Sequence, residues 1–380
     1  MQELDSSKRS SSEIIEGLLK YLPSVSSQDV LSDYCVGEIL IEDVILKENY
    51  PKNFVSRFDG YLCKGIPPFK LVKEMYPGDK LNFSINENTC IFFATGSSIE
   101  KIVDGLKFFK MEDVKVENSL IFPVSVETKN NWLKPGSEIS GGEKLFSKGR
   151  KISVKDRFAL ELLGIRSIKV FKRPKLSIIN TGSELINTLD LEKVLPLSSW
   201  IISPVAQFDG FEVIQSGPIE DDESLLDEVL IENKKSDIIL FIGGTGMGKR
   251  DLIRKVLNKK SKPVFERFNT PVGRNSYAYL YEDSLILGFS GIVQASVALY
   301  HLILRNLIFK QRGLKLENLV DFCDISEKPG IGRNNWYVSE KIENGKLILK
   351  KSNFLNSEFV GFYLDEELFI QKTYFLNQMF

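Results

Sequence analysis

"DIILFIGGTGMGKRDLI", residues Asp237 to Ile253, is the stretch on which the reading of the fold turns. An apolar run leads into a glycine cluster, and the interval from Gly243 to Gly248-Lys249 is that of a nucleotide phosphate loop, G-x-x-x-x-G-K-[ST]. The hydroxyl residue that would complete such a loop on Mg²⁺ is absent: Arg250 stands there, and Asp251 follows. Gly243, Gly244, Gly246 and Gly248 are more glycines than a turn needs. They offer backbone N–H groups, unobstructed by side chains, to an oxyanion.

The same pattern repeats on either side. "KVFKRPKLSIINTG", "GFEVIQSG" and "SLILGFSG" are apolar runs that also end at glycine. Between them lie the helical stretches "SWIISPVAQFDG", "DESLLDEVLIENKKS" and "IVQASVALYHLILRNLI". Strands alternating with helices over 168–310 predict an α/β fold with a central, doubly wound, mostly parallel sheet. Ligands of such sheets bind beyond the carboxyl ends of the strands, where these glycine loops fall.

Outside that block the patterning changes. "SEIIEGLLKYL" reads as a helix behind a Ser cap, and "SVKDRFALELLGI" as one capped by Ser153. "SSQDVLSDYCVGEILIEDVIL" reads as a short helix with a strand, and "ENYPKNFVSRFDGYLCKG", punctuated by Pro, Asn and Gly, as a loop. Short alternating runs such as "CIFFATG" and "LIFPVSV" over 65–133 predict a small β-rich domain. "KPGSEISGGEKLFSKGRKI" reads as a hairpin-type stretch, and "NNWYVSEKIENGKLILKKS", turning at Asn-Gly, as a hairpin in a C-terminal β domain.

Composition narrows the chemistry. The chain has 380 residues and a formal net charge of -1, which gives no support to a chain-wide nucleic-acid or membrane role. His301 is the only histidine, so a His-based zinc site or a Ser-His-Asp triad has almost no material. Cys35, Cys63, Cys90 and Cys323 show no C-x-x-C spacing and read as reduced core cysteines of a cytoplasmic protein without a signal peptide or membrane span. Chemistry is left to carboxylates, Thr, Lys/Arg and backbone amides.

Two further loops supply such groups. In "NTGSEL", Thr181 and Ser183 could donate to an anion and Glu184 could act as a base or metal ligand; a plain helix N-terminus is the other reading. "EDD", Glu220 to Asp222, could likewise be only an N-cap.

Taken together and in order, "SRFDGYL" (56–62), "FATGSS" (93–98), "NTGSEL", "IEDD" and "GGTGMGKRD" resemble signature stretches of the molybdopterin molybdenumtransferases, the MoeA and gephyrin E-domain family. The corresponding family patterns are S-x-M-D-G-Y-A, M-T-G-A, S-T-G-D-E-L, I-x-D-D and S-G-G-x-S-x-G-x-x-D. The resemblance implies insertion of molybdenum from molybdate into adenylylated molybdopterin, with release of AMP and with Mg²⁺ as cofactor. It implies a homodimer with its cleft between protomers and an organisation in four subdomains, at 24–47 with 134–172, at 48–133, at 1–23 with 173–312, and at 313–380.

Position by position, Asp59, Thr95, Glu184, Asp221 and Asp251 match functional positions of the family, and Glu138 stands where the family usually has Asp. The resemblance makes Glu184, Asp221 and Asp251 the metal-holding acids. Thr181, Gly182, Ser183, Gly243, Gly244, Gly246, Gly248, Arg274 and Gly291 become the pterin- and anion-binding set.

Several stretches depart from the family. Its P-G-N-P is "SGIV" (290–293) here, leaving only Gly291; its K-P-G-K-P corresponds loosely to "TPVGRN" (270–275), with Arg274 for a lysine. Its D-[ST]-N is "SSW" (198–200), without an acid, and its loop serine is Gly246. Arg is not a neutral replacement for Lys as a point charge. Two readings therefore stand, a divergent working enzyme and a paralogue that binds pterin or serves as a scaffold without catalysis. An ATP-dependent enzyme is a third, opposed by Arg250. His301 is expected to pack within a helix, Trp132, Trp200 and Trp336 to pack in the core by default, and "KVLNKKSKP" to form a solvated helix end.

Overall fold

The computed structural model describes residues 9–79, 84–127, 129, 131–182, 185, 195–220, 222–245, 252–270 and 273–314, together with the backbone of five C-terminal strands. Two compact units partition the chain. Met1–Asp29, Gly37–Ile39 and Lys169–Phe380 make one; Val30–Val36 and Leu40–Ile168 make the other.

The second unit is built on a six-stranded sheet. Its strands are β1 (Gly60–Lys64), β2 (Phe69–Met75), β3 (Thr89–Phe93), β4 (Leu106–Lys110), β5 (Val114–Glu117) and β6 (Leu120–Pro123), in the order β4-β1-β3-β2-β6-β5. Alternation along the strands sorts side chains to two faces. Leu62, Ile91, Phe93 and Phe108 pack with Met75 and Ile99 on one, and Tyr61, Cys63, Cys90 and Phe109 with Phe69 and Ile121 on the other.

Here the structure corrects the loop reading of "ENYPKNFVSRFDGYLCKG": Phe54–Ser56 is a strand, and β1 pairs on both edges with β3 and β4. Gly60 is not a turn glycine. A Cβ there would lie 2.4 Å from the Phe109 carbonyl oxygen and 2.6 Å from the Phe108 ring, so glycine lets two strands approach. The stretch at Lys144–Phe146 is also not a local hairpin, since it pairs antiparallel with Val44–Ile45. The helix expected behind Ser153 is present as Val154–Leu162, closed by a reciprocal Ser153–Asp156 capping box.

The first unit carries the doubly wound sheet. Its strands are β7 (Lys175–Thr181), β8 (Glu212–Ile219), β9 (Ile238–Ile242), β10 (Lys262–Phe265), β11 (Tyr277–Tyr281) and β12 (Ser284–Phe289), in the order β8-β7-β9-β12-β11-β10. Neighbours from β8 to β12 are parallel, and β11 alone is reversed.

Residues of β7, β9 and β12 are buried almost throughout, as strands covered on both faces must be. Ile238, Leu240 and Ile242 face the cluster formed with α1 (Ser11–Leu19), α3 (Leu197–Phe208) and the helix that starts at Val293. Ile239 and Phe241 face the opposite cluster with α4 (Glu223–Glu232) and α5 (Leu252–Lys260). In chain order the helix Val154–Leu162 is α2. Each large aliphatic side chain so buried contributes about 1.5–3 kcal/mol relative to exposure.

From β7 the chain moves outward through α3 to β8, then returns through α4 on the opposite face to β9 on the other side of β7. The carboxyl ends of β7 and β9 thus flank the point where strand order reverses. The final helix of this unit runs from α6 (Val293–Leu299) through a wide π-helical segment, Tyr300–Arg305, into α7 (Asn306–Gln311). Asn306 Nδ2 donates to the carbonyls of His301 (2.8 Å) and Leu302 (3.0 Å) within the wide turn. His301, 1% exposed, packs edge-on against Tyr300 as expected of a helix-core residue.

The C-terminal strands are β13 (Asp324–Ile325), β14 (Tyr337–Glu343), β15 (Lys346–Lys351), β16 (Phe359–Leu364) and β17 (Glu367–Lys372), ordered β13-β15-β14-β16-β17. The two strands that flank the Asn-Gly pair in sequence are antiparallel neighbours, Glu343 opposite Lys346 and Tyr337 opposite Lys351. Among the described residues no helix is long and apolar enough to cross a membrane.

Candidate anion-binding site

Three loops meet where the strand order reverses. Gly182 N–H donates to the Ile219 carbonyl (3.1 Å), drawing the exit of β7 to the end of β8. Gly243 N–H donates to the Phe289 carbonyl (3.0 Å), joining the exit of β9 to the end of β12. A Cβ on Gly291 would lie 3.4 Å from the Gly243 Cα, so this last loop folds over the second.

Gly243 has φ +106°, and a Cβ there would fall 2.6 Å from the Thr181 carbonyl oxygen and 2.9 Å from its hydroxyl. No side chain fits. Gly244 adjoins the same hydroxyl and the side chain of Ile253. Thr181 itself is 4% exposed, and its Oγ1 has no hydrogen-bond partner among the described residues. A buried hydroxyl in that state costs free energy unless something arrives to satisfy it. The unpaired hydroxyl and the two glycines beside it fit a ligand oxygen.

Beneath the loops lies a polar network that the sequence did not advertise. Asn180 Nδ2 donates to Ser199 Oγ (2.6 Å), Gln215 Nε2 donates to the same oxygen (3.0 Å), and that hydroxyl donates to the Pro196 carbonyl (2.9 Å). Ser296 Oγ donates to Ser198 Oγ (2.9 Å). The "SSW" stretch, read as the loss of an acid, therefore ties the start of α3 to β7, β8 and α6. Its one legible signal was Asn180, a polar residue closing an apolar strand. Trp200, 42% exposed at the first turn of α3, is not the core residue expected by default. Trp132 is one: it stacks edge-on against Phe93 (5.4 Å) and Phe108 (5.6 Å).

Ser183, Glu184, Asp221, Gly246, Gly248 and Asp251 lie outside the described residues, so the expected acidic centre does too. Asp222, next to it, is the N-cap of α4, accepting from Ser224 N (2.9 Å) and Leu225 N (3.1 Å); these bonds hold its carboxyl below the usual range. The Ser224 hydroxyl donates to the same oxygen and is the first of these causes. Arg274 is exposed, and its carbonyl accepts from Asn269 N (3.1 Å). Among the described residues no hydrogen bond or ion pair joins Arg274 to the three loops.

In the β-rich unit the sequence-predicted Asp59 and Thr95 do come together. One oxygen of Asp59 accepts from Thr95 N (2.6 Å) and Thr95 Oγ1 (2.8 Å). Flanking residues hold both loops: Ser56 Oγ donates to the Phe58 carbonyl (2.7 Å), Gly96 N to the Ser56 carbonyl (2.9 Å) and Ser97 Oγ to the Met75 carbonyl (2.9 Å). Glu138 is exposed; its backbone N–H donates to the Tyr50 carbonyl (3.2 Å), and no hydrogen bond links it to Asp59 or Thr95. Among the described residues no group of acids, cysteines or histidines could hold a metal ion.

A doubly wound sheet with glycine loops gathered at its switch point defines an α/β protein of the class whose ligands bind beyond the carboxyl ends of the strands. Residues 177–310 match the family described as "Probable molybdopterin binding domain". A gephyrin from Dictyostelium discoideum is 28% identical over 275 residues, which are 63% of this chain and 38% of that protein, so the chain spans well under two thirds of that relative's length. A molybdopterin molybdenumtransferase from Staphylococcus aureus is 22% identical over 73% of this chain and 70% of its own length.

Two solved structures of the molybdopterin biosynthesis MoeA protein from Pyrococcus horikoshii share the fold. One has a TM-score of 0.72 at 18% identity, covering 96% of this chain and 97% of its own. The other has 0.67 at 21%, covering 97% and 98%. The chain is thus similar to MoeA-like proteins, the family its loop motifs resemble, and shares their fold over almost its whole length.

Proposed function

We propose that this protein acts in molybdenum cofactor biosynthesis as a molybdopterin molybdenumtransferase, taking adenylylated molybdopterin and molybdate and releasing AMP. The observation that carries the reading is the buried Thr181 hydroxyl, without a hydrogen-bond partner among the described residues, at the meeting of three glycine loops. In this reading Thr181, Gly182, Ser183, Gly243, Gly244, Gly246, Gly248 and Gly291 bind the pterin phosphate through hydroxyl and backbone donors, with Arg274 adding positive charge. Glu184, Asp221 and Asp251 form a set of oxygen donors that suits a hard cation and would hold Mg²⁺. When bound, Mg²⁺ supplies positive charge at the phosphoanhydride.

Asp59, Thr95 and Glu138 serve the same reaction from the β-rich unit. Thr95 orients Asp59 and keeps it ionised, so that Asp59 acts as an acceptor rather than an acid. A homodimer is part of the proposal. Val154 (73% exposed), Phe158 (66%) and Leu162 (50%) form an apolar stripe along α2, beside exposed Tyr34, and a second copy of the chain is the occupant we assign to it.

The test is AMP release by purified protein given adenylylated molybdopterin, molybdate and Mg²⁺. Molybdate-dependent release that disappears in Glu184→Gln and Asp251→Asn is the expected result. Tight binding of adenylylated molybdopterin without turnover would transfer the chain to the pterin-binding or scaffold reading.

A further inference from the structure

At the opposite end of the doubly wound sheet, a cavity of about 310 Å³ opens among Pro23–Ser26, the lead-in to β7, Lys235 and the end of α7. Lys175 is the first residue of β7 and Asp237 immediately precedes β9, so this cavity lies at the amino ends of the strands. With about 3.3 Å of rise per residue along β7, it is roughly 20 Å from Thr181.

The charges around it are lopsided. Lys172, Arg173, Lys175, Lys235 and Arg312 line the cavity, and Asp237 is its one acid. Asp237 is already engaged, accepting from the Lys175 backbone N–H (2.7 Å). Arg173 is matched by Glu38 through a forked pair at 2.7 and 3.0 Å, while Lys175 has only a long approach of 3.9 Å to Glu212. Lys172 and Lys235 have no ion-pair partner among the described residues.

Arg312 sets this cavity apart from a surface patch. It is 4% exposed and lies over the Phe171 ring, and among the described residues its guanidinium donates two long bonds, to the carbonyls of Asp209 (3.3 Å) and Gly210 (3.2 Å). A guanidinium has five N–H donors, so most of its capacity is unused. Burial depresses its pKa to about 10, against the opposing pull of the Asp209 and Glu38 carboxylates.

We infer that this cavity is a second anion site, binding a small phosphorylated compound through Arg312 at its base and Lys172 and Lys235 at its rim. The volume is at the small end of ligand pockets, which suits one or two phosphate groups rather than a polymer. Phe171, its one aromatic wall, is covered by Arg312, so recognition is by charge and not by stacking of a base.

Inorganic pyrophosphate is the probe, titrated into the full chain by calorimetry and by thermal shift at low and high salt. Binding is expected at low salt, weakened at least tenfold in Lys172→Glu/Lys235→Glu and unchanged in Thr181→Val. Both lysines are on the cavity rim, which keeps the fold out of question; the unliganded Tm of the double variant checks this. No binding, or binding that survives the double variant, would overturn the assignment, and its loss in Thr181→Val would place the pyrophosphate at the other end of the sheet. Because Thr181→Val reports on the other end of the sheet, failure here is separate from failure of the molybdenumtransferase reading.

Discussion

Thr95 commits both of its donors, backbone N–H at 2.6 Å and hydroxyl at 2.8 Å, to the same oxygen of Asp59. The other carboxylate oxygen remains available to a ligand. The backbone bond is the larger cause, and the hydroxyl the second, of an Asp59 carboxyl that titrates below the ordinary range. Its folded pKa is below its unfolded one, so the associated stability is in place above the unfolded value and is lost as pH falls through the folded value. Thr95→Val, which keeps the N–H and loses the hydroxyl, should raise the Asp59 pKa measured by NMR titration. Thr95→Ser should leave it near the wild-type value.

Thr181→Val should separate stability from function. Valine matches threonine in shape and removes a buried hydroxyl with no partner among the described residues, so the fold should hold or gain about 1 kcal/mol in denaturant unfolding. Molybdate-dependent AMP release should fall. A destabilised variant would mean that the hydroxyl is satisfied within the protein.

Gly243→Ala should destabilise the loop. A side chain at φ +106°, 2.6 Å from a backbone carbonyl, forces β7 and β9 apart at their ends, with strain of order 1–3 kcal/mol. Denaturant melts should report the loss, and affinity for adenylylated molybdopterin should fall with it.

Asp209→Asn tests a buried network behind the sheet. Asp209 Oδ2 lies 3.0 Å from Arg305 Nε and accepts from the Tyr300 hydroxyl (2.7 Å), with both charged side chains almost inaccessible. Removing one charge leaves the other buried, a loss of about 3–5 kcal/mol in chemical denaturation.

Phe158→Glu should shift the chain from dimer to monomer in light scattering if a second copy covers α2. An unchanged mass would remove that face from the proposed assembly.

The doubly wound sheet was legible because its strands are apolar on both faces and its glycines fall at strand ends, as at Gly243 and Gly291. The strand at Gly60 was not, because a glycine that relieves crowding between neighbouring strands looks in one dimension like a glycine that turns the chain. Asp59 and Thr95 were found through their motifs, whereas the network at Ser199 was not read. Its role comes from the side chains of Asn180 and Gln215, one on either side of it in sequence and both outside the "SSW" stretch. The cavity at Arg312 carries no local pattern at all; its cations come from three separated stretches that meet only in the folded chain.

Cys63 and Cys90 stand opposite one another on β1 and β3, and Cys35 is buried in the same unit. Neighbouring thiol and burial together hold the Cys63 thiol far from its reactive, ionised form. These three sulfurs therefore work as timers of opening for the β-rich unit. Their rate of capture by a thiol reagent, read in a Cys323→Ser background, records how often that unit breathes.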